Sequence, residues 1–214
     1  MEELTLLYTH NLRGNIELLP RLHTFIKRLR GDKPRQTPLI DVGDSCAAEV
    51  WHCSATGGRS MLIALDGMGY TAMHAGKMSL ENRLKLREHL MSTLVDEETA
   101  YFHGDLMFAL HPGEGDGHLC VVMTPGAATL QFGSLEAPGR ALYLAGLHTG
   151  QVGVVQLEIA DGQTPMLRTF EVHDVPPDTP PDPTIAGVVD FVLDEARYYQ
   201  KRGNLGSKDD GGEA

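Results

Sequence analysis

The chemistry in this chain is concentrated where short apolar strands end. The run that opens at Leu4 (LTLLYT) is apolar and β-branched, and it empties into the turn Thr9-His10-Asn11-Leu12-Arg13-Gly14. A buried strand running into a glycine turn is the usual opening of an α/β domain, and ligands in such sheets gather at the carboxyl ends of the strands. Thr9–Gly14 is therefore the first candidate site. A second short strand, Thr37–Val42 (TPLIDV), is followed by Gly43-Asp44-Ser45. Gly-Asp-Ser alone is a weak motif, and its weight comes from the strand that leads into it and from its spacing after the first turn. Ten histidines are scattered along the chain, but isolated histidines are mostly surface or hydrogen-bonded core residues.

These turns must be held by a scaffold, and the composition bounds it. At 214 residues the chain is long enough for one domain with a full core. Apolar residues make up 42% and charged residues 22%, ordinary values for a globular protein. The formal net charge of −11 argues against nucleic acid as a partner, because phosphate backbones are bound by basic faces. No apolar run approaches the ~20 residues of a membrane span, and no basic segment followed by an apolar one marks a signal peptide. A cytoplasmic protein without membrane contact is expected. Cys46, Cys53 and Cys120 are odd in number and lack CxxC spacing, which predicts buried or free thiols in a reducing compartment. Zinc ligation by Cys46 and Cys53 with His52 is the alternative.

Hydrophobic spacing supplies the elements. Ile16–Arg30 carries Ile16, Leu19, Leu22, Phe25, Ile26 and Leu29 at helical intervals, with Pro20 near the start and Gly31-Asp32-Lys33-Pro34 as the stop. Ser60–Met68 is expected to be a helix capped by Ser60. Ser79–Leu94 is expected to be an amphipathic helix with Leu80, Leu84, Leu90, Met91 and Leu94 inward. Pro112–Gly117 is a turn-rich loop. Leu119–Thr124, Ala128–Phe132, Ala141–Leu144 and Val152–Ile159 are expected strands. A helix over Thr184–Arg202 presents Ile185, Val188, Val189, Val192 and Leu193 on one face. Residues 1–202 form a single domain in this reading, and 203–214, polar and Gly-rich, a disordered tail. Trp51 on the loop after Asp44 is read as packing, and His148-Thr149-Gly150 as a turn. Tyr198 and Tyr199 are read as surface packing or a dimer contact.

Taken in order, the motifs resemble the calcineurin-like metallophosphoesterases, in particular the 5'-nucleotidase branch. That branch opens with a strand and Thr-Asn-Asp-x-His-Gly, which this chain writes as Thr9-His10-Asn11-Leu12-Arg13-Gly14. Asn11 stands where the family has its metal-binding Asp, and Arg13 where it has the His. Leu19-Pro20-Arg21-Leu22 and Ile26–Arg30 match the helix that follows. Asp44 matches the metal-bridging Asp, and Asp41 the Asp before it. Leu65–Gly76 matches the next family segment without a gap, but the catalytic Gly-Asn-His-Glu is here Gly76-Lys77-Met78-Ser79. The two later histidine motifs have no counterpart: His103-Gly104-Asp105, His111-Pro112-Gly113 and Gly117-His118 are single histidines at other spacings. Arg140–Ile159 and Asp182-Pro183-Thr184-Ile185 match the end of the family pattern. The likeness covers about residues 4–76 well and 140–195 loosely.

The resemblance implies a four-layer α/β/β/α sandwich, trimmed between Val95 and His118. It also implies a pocket built from Asn11, Arg13, Asp41, Asp44 and Lys77. Two-metal hydrolysis needs carboxylates and imidazoles around two cations. One carboxylate and one amide are a poor set for that. Both changes to cations, Arg13 and Lys77, point instead to an ion-paired pocket without metal, with Asp41 and Asp44 as the anions. Three functions follow. The first is an inactive relative that binds phosphate or a nucleotide and needs no cofactor. The second is an active hydrolase using Mn, Zn or Mg at Asp44. Its site would be rebuilt from His10, Asn11 and some of His52, His74, His103, His111, His118 and His148. The third is a structural, partner-binding domain. Oligomeric state is left open.

Overall fold

Strand β1 (Glu2–Thr9) shows why the opening run is almost continuously apolar: it is buried on both faces. Leu6 and Tyr8 point into one hydrophobic cluster and Leu7 into another. This is the pattern of a central strand covered on both sides rather than one half-exposed to water. The computed structural model describes residues 2–31, 37–112, 118–127, 131–134, 138–159 and 166–209.

After β1 come helix α1 (Leu19–Arg30), preceded by a 3-10 turn over Ile16–Leu18, strand β2 (Leu39–Asp41), and helices α2 (Trp51–Thr56) and α3 (Arg59–Gly67). Strand β3 (Ala72–His74), helix α4 (Leu80–Arg87) and strand β4 (Thr93–Val95) complete the first half. Strands β5 (Tyr101–His103), β6 (Leu106–Ala109), β7 (Leu119–Ala127), β8 (Gln131–Ser134) and β9 (Pro138–Ala145) follow. Strands β10 (Gln151–Ile159) and β11 (Met166–Asp174) lead to the final helix α5 (Pro183–Asp209).

The strands form two sheets. The first runs β11-β10-β1-β2-β3-β4, and the second β5-β6-β7-β9-β8. In the first sheet β1, β2, β3 and β4 are parallel, while β10 and β11 are antiparallel additions. The carboxyl ends of the parallel strands therefore lie side by side at Thr9, Asp41 and His74. The sheets pack face to face through Leu6, Tyr8, Ile40, Val42, Phe108, Val121, Leu142 and Val155. The Tyr8 hydroxyl donates to the Ala145 carbonyl at 2.9 Å and ties one sheet to the other.

The opposite face of the first sheet carries the helices. All five bury apolar residues in that one cluster, from Leu22 of α1, Cys53 of α2 and Leu65 of α3 to Leu86 of α4 and Val192 of α5. The expected mixed α/β fold with two facing sheets is present. It is trimmed: among the described residues the outward face of the second sheet carries only a small cluster of Met107, Cys120, Val122 and Ala141. No described helix is long and apolar enough to cross a membrane.

Several sequence expectations are corrected. The helix expected over Ser79–Leu94 stops at Arg87, because Asp66 Oδ1 accepts the N–H groups of Met91 and Ser92 at 3.0 and 2.8 Å and holds a turn there. Leu94 is in β4, Leu80 and Leu84 are exposed, and Met91 is 95% exposed. Ser79 does cap α4, with its hydroxyl accepting from the Asn82 N–H at 3.4 Å. Ser60 does not cap α3. Gly58 occupies that position, and Ser60 is buried against His52. Helix α5 continues to Asp209, past the expected end at Arg202, and residues 210–214 lie outside the described residues. So does most of the loop expected over Pro112–Gly117.

The thiol expectation is also overturned for Cys46 and Cys53. Cys46 and Cys53 form a disulfide with Cα atoms 5.7 Å apart, and Cys120 is buried. Their zinc alternative falls with it, since His52 Nδ1 and Nε2 lie 2.9 Å from the Ser60 hydroxyl and the Gly14 carbonyl. Disulfides persist in oxidising compartments, so the bridge removes the support that free thiols lent to a cytoplasmic location.

Candidate functional site

The turn after β1 and the turn after β2 are zipped together by backbone hydrogen bonds. The Asn11 N–H donates to Gly43 O at 2.9 Å, Arg13 N–H to Asp44 O at 2.8 Å, and Gly14 N–H to Ser45 O at 2.7 Å. This ladder holds Asn11, Arg13 and Asp44 at φ of 60°, 51° and 53°, the left-handed region. Asn and Asp tolerate it, but Arg gains nothing from its side chain there. The strained backbone of this chain thus coincides with three of the positions singled out in the sequence. Gly43, at φ 116°, is required twice over: an added Cβ would meet His74 Nδ1 at 2.5 Å.

Asp44 is the centre of the side-chain arrangement. Lys77 Nζ donates to its Oδ1 at 2.5 Å, and His10 Nε2 lies 3.6 Å from Oδ2. The bond to Lys77 is the main reason that the Asp44 carboxyl sits below its ordinary pKa. His10 accepts the Leu147 N–H on Nδ1 at 3.2 Å. Burial pulls the His10 pKa down against the opposing pull of Asp44. His74, facing the Val42 carbonyl at 3.3 Å, is likewise lowered by burial.

Asp41 lies behind the site rather than in it. It is fully buried, with Oδ2 accepting from the Thr9 hydroxyl at 2.9 Å and Oδ1 from the Gly43 N–H at 3.2 Å. Burial raises its pKa to about 7 despite those bonds. The Thr9 hydroxyl is also 3.0 Å from the hydroxyl of buried Tyr70.

A cavity of about 390 Å³ opens beside Asp44. Its walls come from the loop after β2, from α2 and the start of α3, and from the turn between β3 and α4. Asp44, His74, Lys77, Ser79 and Asn82 supply polar groups, and the Cys46–Cys53 disulfide forms part of one wall. Of the expected pocket residues, the structure brings Asp44 and Lys77 together on this cavity. Arg13 turns away and pairs with Glu49 at 3.1 Å on the surface. Asn11 takes part through its backbone, its carbonyl accepting from the Thr149 hydroxyl at 2.5 Å in the turn expected at His148–Gly150. Trp51, 39% exposed, stands edge-on to His52 and does not line the cavity. His10 and His74 were named in the sequence only among many histidines. Their position at the ends of β1 and β3 is the signal that separates them from the rest.

Among the described residues no three His, Cys, Asp or Glu side chains converge as ligands. The one carboxylate at the old bridging position is engaged by an ammonium. What the arrangement offers chemically is an ion pair at the edge of a cavity.

No protein-family model matches the sequence, and no curated protein is similar to it by sequence. Solved structures are similar in fold. A 5'-nucleotidase precursor from Thermus thermophilus superimposes with a TM-score of 0.65 over 92% of this chain and 59% of its own, at 12% identity. The NAD nucleotidase of Haemophilus influenzae gives 0.59 over 94% of this chain and 60% of its own, at 10% identity. A putative 5'-nucleotidase of Staphylococcus aureus, solved in complex with α-ketoglutarate, gives 0.55 over 90% and 58%, at 12% identity. The chain thus has the fold seen in these 5'-nucleotidase structures. It spans about 60% of the length of the structures it matches.

Proposed function

We propose that this chain is a ligand-binding relative of the 5'-nucleotidases that takes phosphate or a small phosphorylated molecule and does not hydrolyse it by the two-metal route. The observation that carries this reading is the Lys77 ammonium, 2.5 Å from the carboxylate of Asp44. A lysine there supplies fixed positive charge where the resemblance expects a cation, and it leaves an anion-binding group at the mouth of the cavity. Arg13 points the same way, since an outward guanidinium does not replace a His as a ligand, and Asn11 offers a neutral amide in place of a carboxylate. The nucleotidase names of the structural neighbours, and the small dianion in the Staphylococcus aureus protein, support a small anionic ligand. Asp44 and Lys77 are the binding residues in this reading. Asp41 and Asn11 shape the turn that presents Asp44.

The test is elemental analysis of the purified protein together with hydrolysis of p-nitrophenyl phosphate and AMP in added manganese. No stoichiometric metal and no turnover are expected, and phosphate at ~100 times its Kd should raise the Tm by ~5–10 °C. Lys77→Met should abolish that rise while changing the stability of the free protein by less than ~1 kcal/mol, because the Lys77 and Asp44 side chains are 78% and 42% exposed. Two metals per chain, or turnover lost in Asp44→Asn, would make the protein a hydrolase with a rebuilt site. No stabilisation by any phosphate would leave a structural domain.

A further inference from the structure

The two charges on the cavity have opposite sign, and that constrains what fits. Lys77 and Asp44 both line it, in contact with each other. His10 and His74 stand beside them, their proton affinity lowered by burial. The Lys77 and Asp44 charges oppose each other at the cavity. A phosphate drawn to Lys77 also approaches the Asp44 carboxylate, and repulsion there weakens the attraction.

Asp44 is nevertheless able to take a further donor. Its Oδ1 is held by Lys77, but Oδ2 is 3.6 Å from His10 Nε2, beyond hydrogen-bond length, and the side chain is 42% exposed. The N-terminus of α4, with its positive dipole end, and the polar side chains of Ser79 and Asn82 also line the cavity. Leu62, Ala75 and Met78 add apolar lining suited to a short carbon linker.

We propose that the occupant is a zwitterion, a small amine-bearing phosphate ester whose phosphate meets Lys77 and whose ammonium meets Asp44. This rests on the phosphate-binding reading of the same cavity and narrows it from phosphates in general to those with a cationic arm. Each end of such a ligand meets an opposite charge, so the Asp44 repulsion becomes a second attraction.

Calorimetric titration with O-phosphoethanolamine and with ethyl phosphate, which differ by the amine, tests this directly. The unmodified protein in a chelator-containing buffer is expected to bind O-phosphoethanolamine at least tenfold more tightly than ethyl phosphate. In Asp44→Asn that ratio should fall to about one, through weaker binding of O-phosphoethanolamine. Asn is chosen because it tolerates the left-handed φ of 53° as Asp does, and circular dichroism checks that the variant is folded. Equal affinity for the two probes in the unmodified protein overturns the zwitterion and leaves the phosphate reading intact. A preference that survives in Asp44→Asn also overturns it, because the amine is then read elsewhere. Binding of neither probe at millimolar concentration overturns both.

Discussion

Three non-glycine residues hold left-handed conformations at this site, and their costs differ. Asn11 and Asp44 suit that region, while Arg13 at φ 51° does not, and its side chain pairs with the exposed Glu49 at 3.1 Å. Arg13→Gly is therefore expected to stabilise the protein by up to ~1 kcal/mol in urea denaturation, with the loss of the Glu49 pair too weak to offset it. Asp41 sets a second residue-scale effect. Its folded pKa of about 7 lies above the ordinary 3.8, so the folded state holds the proton more tightly than the unfolded chain does. That contribution is complete below pH ~4 and is lost as pH climbs through 7. Across that window it amounts to at most about 4 kcal/mol. The stability of the unmodified protein relative to Asp41→Asn should fall between pH 4 and 8. A flat difference would mean that Asp41 is ionised throughout.

Among elements, β1 and β10 make the tightest case of sequence matched to neighbour. Tyr8 is directly across from Gly153 in the antiparallel register, and its ring occupies the space that a Cβ at Gly153 would need. Gly153→Ala should push the ring off its bond to the Ala145 carbonyl and cost ~1–3 kcal/mol, read as a lower urea midpoint at unchanged m. The disulfide is the other element-scale device. It fixes the loop after Asp44 to α2, so two walls of the cavity are one covalent unit. Helix α4 is short for a reason outside itself: Asp66 captures the backbone at Met91 and Ser92 and ends the helical run.

At the scale of the molecule, the first sheet is shared by both cores. One core lies between it and the helices, the other between the two sheets. Helix α5 packs on α1, α2 and α3 and closes the helix layer over that sheet. Neither core can be opened without exposing a face of the same strands, so unfolding should be a single cooperative transition. Fluorescence of Trp51, the single tryptophan, on α2, and far-UV dichroism of the whole chain should give coincident urea curves. Separated midpoints would show that the helix layer detaches first.

The sequence by itself determined the parallel α/β core. The apolar run of β1, the spacing of Leu19, Leu22 and Ile26 in α1, and the face of Ile185, Val189 and Val192 in α5 are periodicities that burial alone enforces. It also marked Asp44, which follows an expected strand, and Lys77, which stands where the resemblance places the catalytic motif. Only the tertiary structure decided what those residues do. Arg13 and Lys77 are equivalent as cations in the sequence, yet the turn geometry sends one to Glu49 and the other to Asp44. His10 and His74 stand out from the ten histidines only because two strand ends lie side by side. Cys46 and Cys53 became a bridge because the start of α2 folds back onto the loop that follows Asp44. Pairings of this kind depend on distances between chain segments, and hydrophobic periodicity carries no information about them.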